Sequence, residues 1–322
     1  MARRRKGQAV HGWLIVDKEP GVTSTAVVGR ARRLLDAAKA GHGGTLDPLA
    51  TGLLPIAFGE ATKTVQFVMD GAKTYRFRIR WGERRDTEDA EGAVLETSDR
   101  RPDEAAIRAA LPGFLGTIAQ VPPRYSAIKV DGERAYDLAR AEEAFTLHAR
   151  PVTVQRLELV GVPDADTAEL EVDCGKGFYV RALARDLATA LGCLGHVAAL
   201  RRLRVGPFTE RDAISLSDIE ALGHSAARLE HVMPVKTALD DIPALAVTDM
   251  EAERLRRGQA VQVLRTVDLN TIRDLCDGDL VCALAGDTPI AIARLDFGPQ
   301  HTAFAARFGP VTQIHPVRVL NL

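Results

Sequence analysis

The stretch from Thr74 to Trp81 constrains the fold of this chain most strongly, because apolar and polar residues alternate along it. A period of two places successive side chains on opposite faces of a β-strand. One face carries Tyr75, Phe77, Ile79 and Trp81, and the other carries Thr74, Arg76, Arg78 and Arg80. The pattern predicts a half-buried strand, and residues 168–174 alternate in the same way.

Helical patterns are fewer than strand patterns. Residues 23–35, 102–111 and 177–191 have apolar residues at helical spacing, and Thr23 or Ser24 can cap the first of these helices. Strands come in runs, without a regular alternation of strand and helix. This order predicts an α+β fold with a central mixed or antiparallel sheet and flanking helices.

Length and pattern together predict two domains. A chain of 322 residues exceeds one ordinary domain. We expect a basic tail over residues 1–10, a main domain over 11–242 and a small β-rich domain over 245–322. Residues 122–145 look like an insertion in the main domain, because Pro122-Pro123 begins a polar segment with scattered aromatic residues.

Charge is distributed unevenly along the chain, although the net charge is only −1. Residues 1–80 hold 14 Lys or Arg against 6 Asp or Glu, and residues 201–204 add a basic cluster. Such a distribution favours a surface that meets phosphates, although arginine clusters are also common on solvated faces. The chain has no long apolar run and no signal-peptide pattern, so we expect it in the cytoplasm and without a membrane span.

Motifs for cofactors are missing. The segment Gly41-His-Gly-Gly44 lacks the third glycine of a dinucleotide-binding fingerprint, and no phosphate-binding loop of the Gly-Lys-Ser/Thr type occurs. The four cysteines have neither zinc-ligand spacing nor the pattern of a zinc deaminase. We therefore expect chemistry that uses no cofactor and no metal.

Asp47 is the first candidate for chemistry. It lies before Pro48, which disfavours helix at Asp47, and leucines surround it at 46, 49, 53 and 54. An apolar pocket would raise the pKa of its carboxyl group and would call for a cation nearby. The alternative is a simple Asp-Pro turn with its side chain in water.

Four ordered motifs resemble those of the bacterial tRNA pseudouridine synthase B family. The first is Gly41-His-Gly-Gly-Thr-Leu-Asp-Pro-Leu-Ala-Thr-Gly52, preceded by Val16-Asp-Lys-Glu-Pro-Gly-Val-Thr-Ser24. The others are Lys73-Thr-Tyr75, Asp86-Thr-Glu-Asp-Ala-Glu-Gly92, and Cys174-Gly-Lys-Gly-Phe-Tyr-Val-Arg181 with Gly195-His-Val-Ala-Ala-Leu-Arg-Arg202. The match runs from about residue 11 to 210. It implies a pseudouridine-synthase fold, and residues 245–322 resemble the family's small PUA-like RNA-binding domain.

The resemblance implies an isomerase that converts uridine 55 in the T loop of tRNA to pseudouridine. It makes Asp47 the catalytic carboxylate, with Arg181 as its cation and Asp89 behind Arg181. Tyr75 would stack on the uracil and serve in the final proton transfer at C5, and Leu200 would pack against the base or Tyr75. The carboxylate can attack C1′, stabilise positive charge there or remove the C2′ proton, and the sequence leaves these routes open.

The resemblance also implies an RNA-binding cleft. His42 would enter the RNA as the target base flips out, and Gly43, where the family more often has threonine, suggests a mobile loop. Lys18 would contact the cleft or a phosphate, while Lys176 and Tyr179 would shape the pocket. The insertion, with Arg124 and Lys129, would close on the RNA like a thumb.

Two other functions remain open at this point. One is the catalytic subunit of a guide-RNA particle, as in archaeal and eukaryotic relatives of this fold. The other is a tRNA-binding folding factor with secondary catalysis. The closer match to the bacterial motifs favours a monomer that acts on the T stem-loop without an obligatory protein partner.

Overall fold

The computed structural model describes residues 7–130, 132–141, 143–223, 226–263, 275–297 and 312–322. Its largest element is a 10-stranded sheet that contains parallel and antiparallel pairs. The predicted α+β fold with a mixed sheet is therefore confirmed. The strands lie side by side in the order β14 (Ala213–Ile214), β1 (Gly12–Lys18), β3 (Thr51–Phe58), β12 (Gly195–Val205), β4 (Lys73–Trp81), β11 (Thr167–Cys174), β10 (Arg150–Asp164) and β7 (Gly116–Gln120), with β2 (Ala40–His42) on β3 and β13 (Phe208–Thr209) on β12.

Short helices and hairpins flank this sheet. The helices are α1 (Ser24–Leu34), α2 (Val65–Asp70), α3 (Glu104–Ala110), α4 (Ala135–Arg140), α5 (Val180–Ala190), α6 (Leu216–Ala221) and α7 (Ala227–Glu230), while α8 (Asp249–Arg256) packs on the strands that follow residue 260. Two hairpins stand apart from the sheet, β5 (Glu83–Arg85) with β6 (Val94–Thr97) and β8 (Lys129–Val130) with β9 (Glu133–Arg134). None of the helices in the described ranges is both long enough and apolar enough to cross a membrane.

Strand β4 lies inside the large sheet, between β12 and β11. Its alternation is as predicted: Phe77, Ile79 and Trp81 are buried, whereas Arg76, Arg78 and Arg80 are exposed. The buried face packs with Leu183 and Leu187 of α5 in one apolar cluster. Helix α5 thus covers the strand that carries Tyr75, and this packing brings Arg181 of the helix near the cleft.

The C-terminal strands form a second sheet of five strands. Its order is β15 (Ala244–Ala246), β17 (Leu280–Ala285), β18 (Thr288–Asp296), β19 (Thr312–Val319) and β16 (Val261–Val263). The division into residues 11–242 and 245–322 stays a prediction. Cys282, Ile292 and Leu320 of the C-terminal part share an apolar cluster with Trp13 and Ile15 of the large sheet.

The structure describes only residues 7–10 of the expected N-terminal tail. Residues 1–6, which hold its basic side chains, lie outside the described residues. The Gln8 N–H donates to the Asp36 carbonyl, and Val10 is buried in the cluster beneath α1. Residues 8–10 therefore pack on the main domain.

Candidate active site

The candidate site is built on the loop between β2 and β3, which carries Asp47. The Ser24 hydroxyl at the start of α1 accepts the Leu46 N–H at 2.9 Å and donates to the Leu46 carbonyl at 3.0 Å. The Pro48 carbonyl accepts from Lys18 Nζ at 3.0 Å and from the Gly21 N–H at 2.8 Å. The loop is irregular, as predicted, and side chains from two other elements hold the residues on both sides of Asp47.

Arg181 provides the cation that the sequence predicted for Asp47. Its Nε lies 3.0 Å from Asp47 Oδ2, and its Nη1 lies 3.6 Å from Asp89 Oδ2. The same guanidinium donates to the carbonyls of Thr87 and Tyr125, both at 2.9 Å. Only 6% of the Arg181 side chain is exposed, so its position and orientation are closely defined. The structure thus brings the three expected charged residues together.

Asp89 is buried and fixed from its own loop. Its Oδ1 accepts from the Thr87 hydroxyl at 2.6 Å and from the Glu91 N–H at 3.1 Å. Its backbone bridges to Val197 of β12. This arrangement suits a carboxylate that stays in place behind Arg181, rather than the solvated turn acid that was the alternative.

The Asp47 carboxylate lies at the boundary between protein and solvent. Burial raises the pKa of Asp47, and the nearby charge of Asp89 adds to this rise, while the charge and hydrogen bond of Arg181 lower it. About a third of the side chain, 35%, is exposed. The carboxylate is therefore accessible to a substrate in the cleft, and the simple solvated Asp-Pro turn is not what the structure shows.

Tyr75 and Leu200 lie together on the cleft side of the sheet. Leu200 belongs to the buried cluster that includes Phe77 and Leu46, and Tyr75 packs against this cluster while remaining half-buried. Burial raises the pKa of the Tyr75 phenol. The strand thus carries core residues along most of its length and presents its tyrosine at the end, near Asp47.

Arg202 is a residue of this site that the sequence reasoning missed. It was counted in a basic surface cluster, but its side chain is buried, and it donates to the carbonyls of Leu53, Thr45 and Gly44. Arg201 beside it pairs with Asp17 and Glu210. The cluster is therefore not a simple phosphate-binding surface. Strand periodicity would have revealed this, because Leu200 and Arg202 are two residues apart and share a face.

The structure also corrects the expectation for His42 and shows how Gly43 packs. His42 lies in β2, paired with Ile56 of β3, and not on a free loop. The Gly43 N–H donates to the Pro55 carbonyl at 2.7 Å, and a Cβ at this position would lie 2.9 Å from Val68 and 3.3 Å from Trp13. Gly43 is thus a close-packed position, and the expected mobility of this loop stays a prediction. Burial lowers the pKa of His42, whose Nδ1 has no hydrogen-bond partner within the described structure.

Lys18 differs from its predicted role. Its side chain is buried, and its ammonium group donates to the carbonyls of Glu19, Val22 and Pro48. An ammonium has three N–H donors, so this one is already satisfied by the protein. The geometry favours support of the Asp47 loop over a contact with phosphate.

The remaining predicted residues lie around the cleft. Lys176 is exposed and pairs with Asp70 at 2.6 Å. Tyr179, half-buried before α5, has both its backbone N–H and its carbonyl bonded to the buried Gln120 side chain, at 2.8 and 3.2 Å. Gln120 is a second residue that the sequence reasoning missed, since it fixes the start of the helix that carries Arg181.

The insertion has its own secondary structure, the β8–β9 hairpin and α4. Lys129 and Arg124 are exposed on it. The Arg124 guanidinium lies over the Phe145 ring at 5.1 Å from its centre, and the guanidinium groups of Arg134 and Arg140 lie over Tyr136 at 5.8 and 5.6 Å. The insertion therefore combines cations and aromatic rings near Arg181, which it contacts through the Tyr125 carbonyl.

Possible metal ligands do not cluster in this site. Over the described part of the chain, no group of three or more His, Cys, Asp or Glu side chains is placed to hold a metal ion. That the chemistry uses neither cofactor nor metal stays a prediction.

Comparisons with known proteins agree with the geometry. A model for the N-terminal domain of TruB family pseudouridylate synthases matches residues 32–180, and one for the tRNA pseudouridylate synthase B C-terminal domain matches residues 181–240. The chain is 52% identical to the tRNA pseudouridine synthase B of Rhodospirillum rubrum over 322 residues, which covers all of both chains. It is 58% identical to the enzyme of the same name from Gluconacetobacter diazotrophicus, over 92% of this chain and 97% of the other.

Solved structures show the same fold at lower identity. The protein in the crystal structure of the archaeal box H/ACA sRNP Nop10-Cbf5 complex has a TM-score of 0.72 and 23% identity, and the match covers 99% of this chain and 92% of that one. A Cbf5-Nop10-Gar1 complex contains a similar chain, with a TM-score of 0.72 and 24% identity over 97% and 85%. Together with the full-length identity to the bacterial relatives, this establishes that the chain belongs to the TruB family of pseudouridylate synthases.

Proposed function

We propose that this chain converts uridine 55 in the T loop of tRNA to pseudouridine, with Asp47 as the catalytic carboxylate. One observation carries the assignment of Asp47: its carboxylate is paired with the buried Arg181 at 3.0 Å and still keeps an exposed edge towards the cleft. The relatives at 52% and 58% identity carry the name of the same enzyme.

The residues of the cleft suit an isomerisation without redox chemistry. The reaction breaks the bond between C1′ and the uracil, turns the base and joins C1′ to C5. Arg181 keeps the Asp47 carboxylate ionised and oriented towards C1′ and C2′. Nucleophilic attack, charge stabilisation at C1′ and removal of the C2′ proton are all open to a carboxylate in this position. Tyr75 and Leu200 form the apolar surface on which the uracil stacks.

The substrate must offer its base outside the RNA helix, because the Asp47 carboxylate lies within a cleft. His42 at the end of β2 is the residue that we propose to enter the RNA as the base leaves it. The arginines, lysines and aromatic rings of the insertion suit the phosphates and unstacked bases of a T loop. We propose a monomer that works in the cytoplasm without an obligatory protein partner.

Mutation of Asp47 to Asn tests the catalytic assignment, because asparagine keeps the size of the side chain and removes its charge. We expect Asp47→Asn to abolish pseudouridine formation in an unmodified tRNA transcript, while the dissociation constant for tRNA changes by only a few fold. The exposed Asp99→Asn variant serves as a matched control and should keep full activity. Full turnover by Asp47→Asn would show that another group is the catalyst.

The same assay separates the alternatives. We expect the purified protein to modify the transcript at position 55 without any guide RNA, as measured by mass mapping of pseudouridine. If the protein needs a guide RNA, it is the subunit of a particle. If it refolds tRNA but forms no pseudouridine, it is a folding factor.

A further inference from the structure

Glu88 has a backbone conformation that is unusual for a residue with a side chain. Its φ is +62°, and within the described ranges Asp36 is the only other non-glycine residue with a positive φ. Such a conformation is strained and persists where the surrounding structure holds it. Here the Val197 N–H of β12 donates to the Glu88 carbonyl, and the Ala90 N–H donates to the Val197 carbonyl, both at 3.0 Å. Glu88 thus lies at a strained turn one residue before Asp89.

The side chain of Glu88 joins its loop, the acidic loop of residues 86–92, to helix α5. Its Oε1 accepts from Arg185 Nη1 at 2.7 Å, and only 16% of the side chain is exposed. Within the described structure its Oε2 is buried and has no hydrogen-bond partner. Burial raises the pKa of Glu88, while the charge and hydrogen bond of Arg185 lower it. Arg185 therefore provides the cation that this largely buried carboxylate needs.

Arg185 also holds the base of the insertion. Its Nη2 donates at 2.8 Å to the carbonyl of Val121, just before the insertion, and its Nε donates to Asp186 at 2.8 Å. A cavity of about 400 Å³ lies between the insertion and the β5–β6 hairpin, and most of its lining side chains are charged. Apolar packing across this gap is therefore limited, and Arg185 joins its two sides by polar contacts.

Arg181 and Arg185 make parallel connections from helix α5. They are four residues apart and therefore lie on the same face of the helix. Arg181 joins the acidic loop to the insertion through the carbonyls of Thr87 and Tyr125. Arg185 makes the same connection one turn later, through the contacts described above. Both segments that supply acceptors to Arg181 are therefore also held by Arg185.

We infer that Arg185 and Glu88 are positioning residues for Arg181. Their ion pair fixes the acidic loop on α5, so that the carbonyl groups and the Asp89 carboxylate that orient Arg181 stay in place. Arg181 in turn orients Asp47 in the cleft. The inference rests on the proposed function, and it explains why a strained glutamate stands at a turn where glycine would fit without strain.

Substitution of Glu88 by glycine separates activity from stability. Glycine adopts a positive φ without strain, and this relief offsets the loss of the ion pair, so Glu88→Gly should unfold at the same urea concentration as the wild type. We expect its single-turnover rate of pseudouridine formation in tRNA to fall about tenfold, because a small displacement of the reacting groups is enough for such a loss. The dissociation constant for tRNA should change by less than about twofold, since the pair does not contact RNA.

A double-mutant cycle tests whether the two residues act as a pair. Single-turnover rates are measured for the wild-type protein, Glu88→Gly, Arg185→Met and the double variant. We expect the double variant to lose no more than about twofold beyond the larger single loss, because either change breaks the same contact. Arg185→Lys keeps the charge but not all three contacts, and it should recover part of the rate. If Arg185→Met does not fold, Arg185→Lys takes its place in the cycle.

The control is Asp36→Gly, which removes the other side chain at a positive φ. Asp36 has a φ of +45° and is exposed after the C-terminal end of α1, whereas the Asp47 loop is held at the N-terminal end of that helix. Asp36→Gly should keep the wild-type rate.

The outcomes separate this inference from the proposed function. If the wild-type protein forms no pseudouridine, the proposed function fails. If the wild type and Asp36→Gly are active and Glu88→Gly keeps the full rate, only the inference fails. It also fails if the loss in Glu88→Gly comes with weaker tRNA binding or unfolding at lower urea, or if the two single losses multiply in the double variant.

Discussion

Two opposing influences act on the charge of Asp47. Burial in the cleft favours the neutral acid, and the Arg181 guanidinium at 3.0 Å favours the carboxylate. The net effect is a raised pKa, whereas the proposed chemistry needs the ionised form. The ionisation of Asp47 therefore depends on Arg181, and this dependence can be measured by following the reaction rate as a function of pH.

We predict that the single-turnover rate declines on the acid side at a pH above about 3.9, the ordinary pKa of an aspartic acid. Loss of the Arg181 charge raises the pKa of Asp47 further, so less carboxylate is present at a given pH. The fall of the rate on the acid side should therefore begin at a higher pH in Arg181→Met than in the wild type. The exposed Arg78→Met variant removes one positive charge from the other face of the sheet. Its rate should fall at the same pH as that of the wild type. If the rate of Arg181→Met falls at the same pH as the wild-type rate, or at a lower pH, this account is contradicted.

At the scale of elements, the start of helix α1 holds the loop that carries Asp47. Thr23 caps the helix by accepting the Ala26 N–H, which leaves Ser24 free to bond both the N–H and the carbonyl of Leu46. The two neighbouring residues named as alternative caps thus have different functions. The position of Asp47, one residue after Leu46, depends on a helix that lies more than twenty residues earlier.

Mutation of Ser24 to Ala should reduce both stability and rate. It leaves the buried N–H and carbonyl of Leu46 without their partner, which lowers the free energy of unfolding by about 1–3 kcal/mol. We expect the catalytic rate to fall more than the affinity for tRNA. Thr25→Ala, at the exposed neighbouring position, is the matched control for urea unfolding and for activity. Equal effects of the two substitutions would argue against this role of Ser24.

The insertion is the second element with a testable role. Lys129 at its exposed hairpin should contact a phosphate in the complex. Lys129→Ala should then weaken tRNA binding and reduce the slope of log affinity against log salt by about 1. Arg108→Ala, which removes one exposed charge from α3, should leave both quantities unchanged. Binding of Lys129→Ala with an unaltered salt slope would exclude a phosphate contact at this residue.

For the whole molecule, the two sheets are joined by a shared core. Leu320, after the last strand, is 1% exposed and packs in the cluster that contains Trp13 of β1. Nearby, Lys63 Nζ donates to the Val319 carbonyl at 2.8 Å, and the Asn321 N–H donates to Glu60 at 2.8 Å. The C-terminal part thus contributes to the packing of the sheet that carries the site.

Mutation of Leu320 to Ala should destabilise the large sheet as well as the C-terminal part. A leucine deleted from a core costs about 2–5 kcal/mol of unfolding free energy. Urea unfolding followed by tryptophan fluorescence measures the effect, since Trp13 lies in the same cluster. Leu322→Ala, at a residue 45% exposed, is the control and should be nearly neutral. A fluorescence transition that does not move in Leu320→Ala would show that the two parts unfold independently.

The sequence by itself determined several of the elements and the identity of the main charged pair. Alternation over residues 74–81 predicted β4, and helical spacing after Gly177 predicted α5, because both patterns repeat over a short distance. The motifs predicted that Asp47, Arg181 and Asp89 would meet. These features depend on periodicity or on residues that a family shares.

Only the tertiary structure decided which acceptors the buried polar side chains meet. Ser24, Lys18 and Arg202 come from three different elements, and each is buried with its polar atoms bonded to the backbone of the Asp47 loop. A run such as Arg201-Arg202 contains no local signal of which carbonyls will be near. The buried positions follow from long-range packing, in which desolvated donors must find acceptors wherever the fold places them.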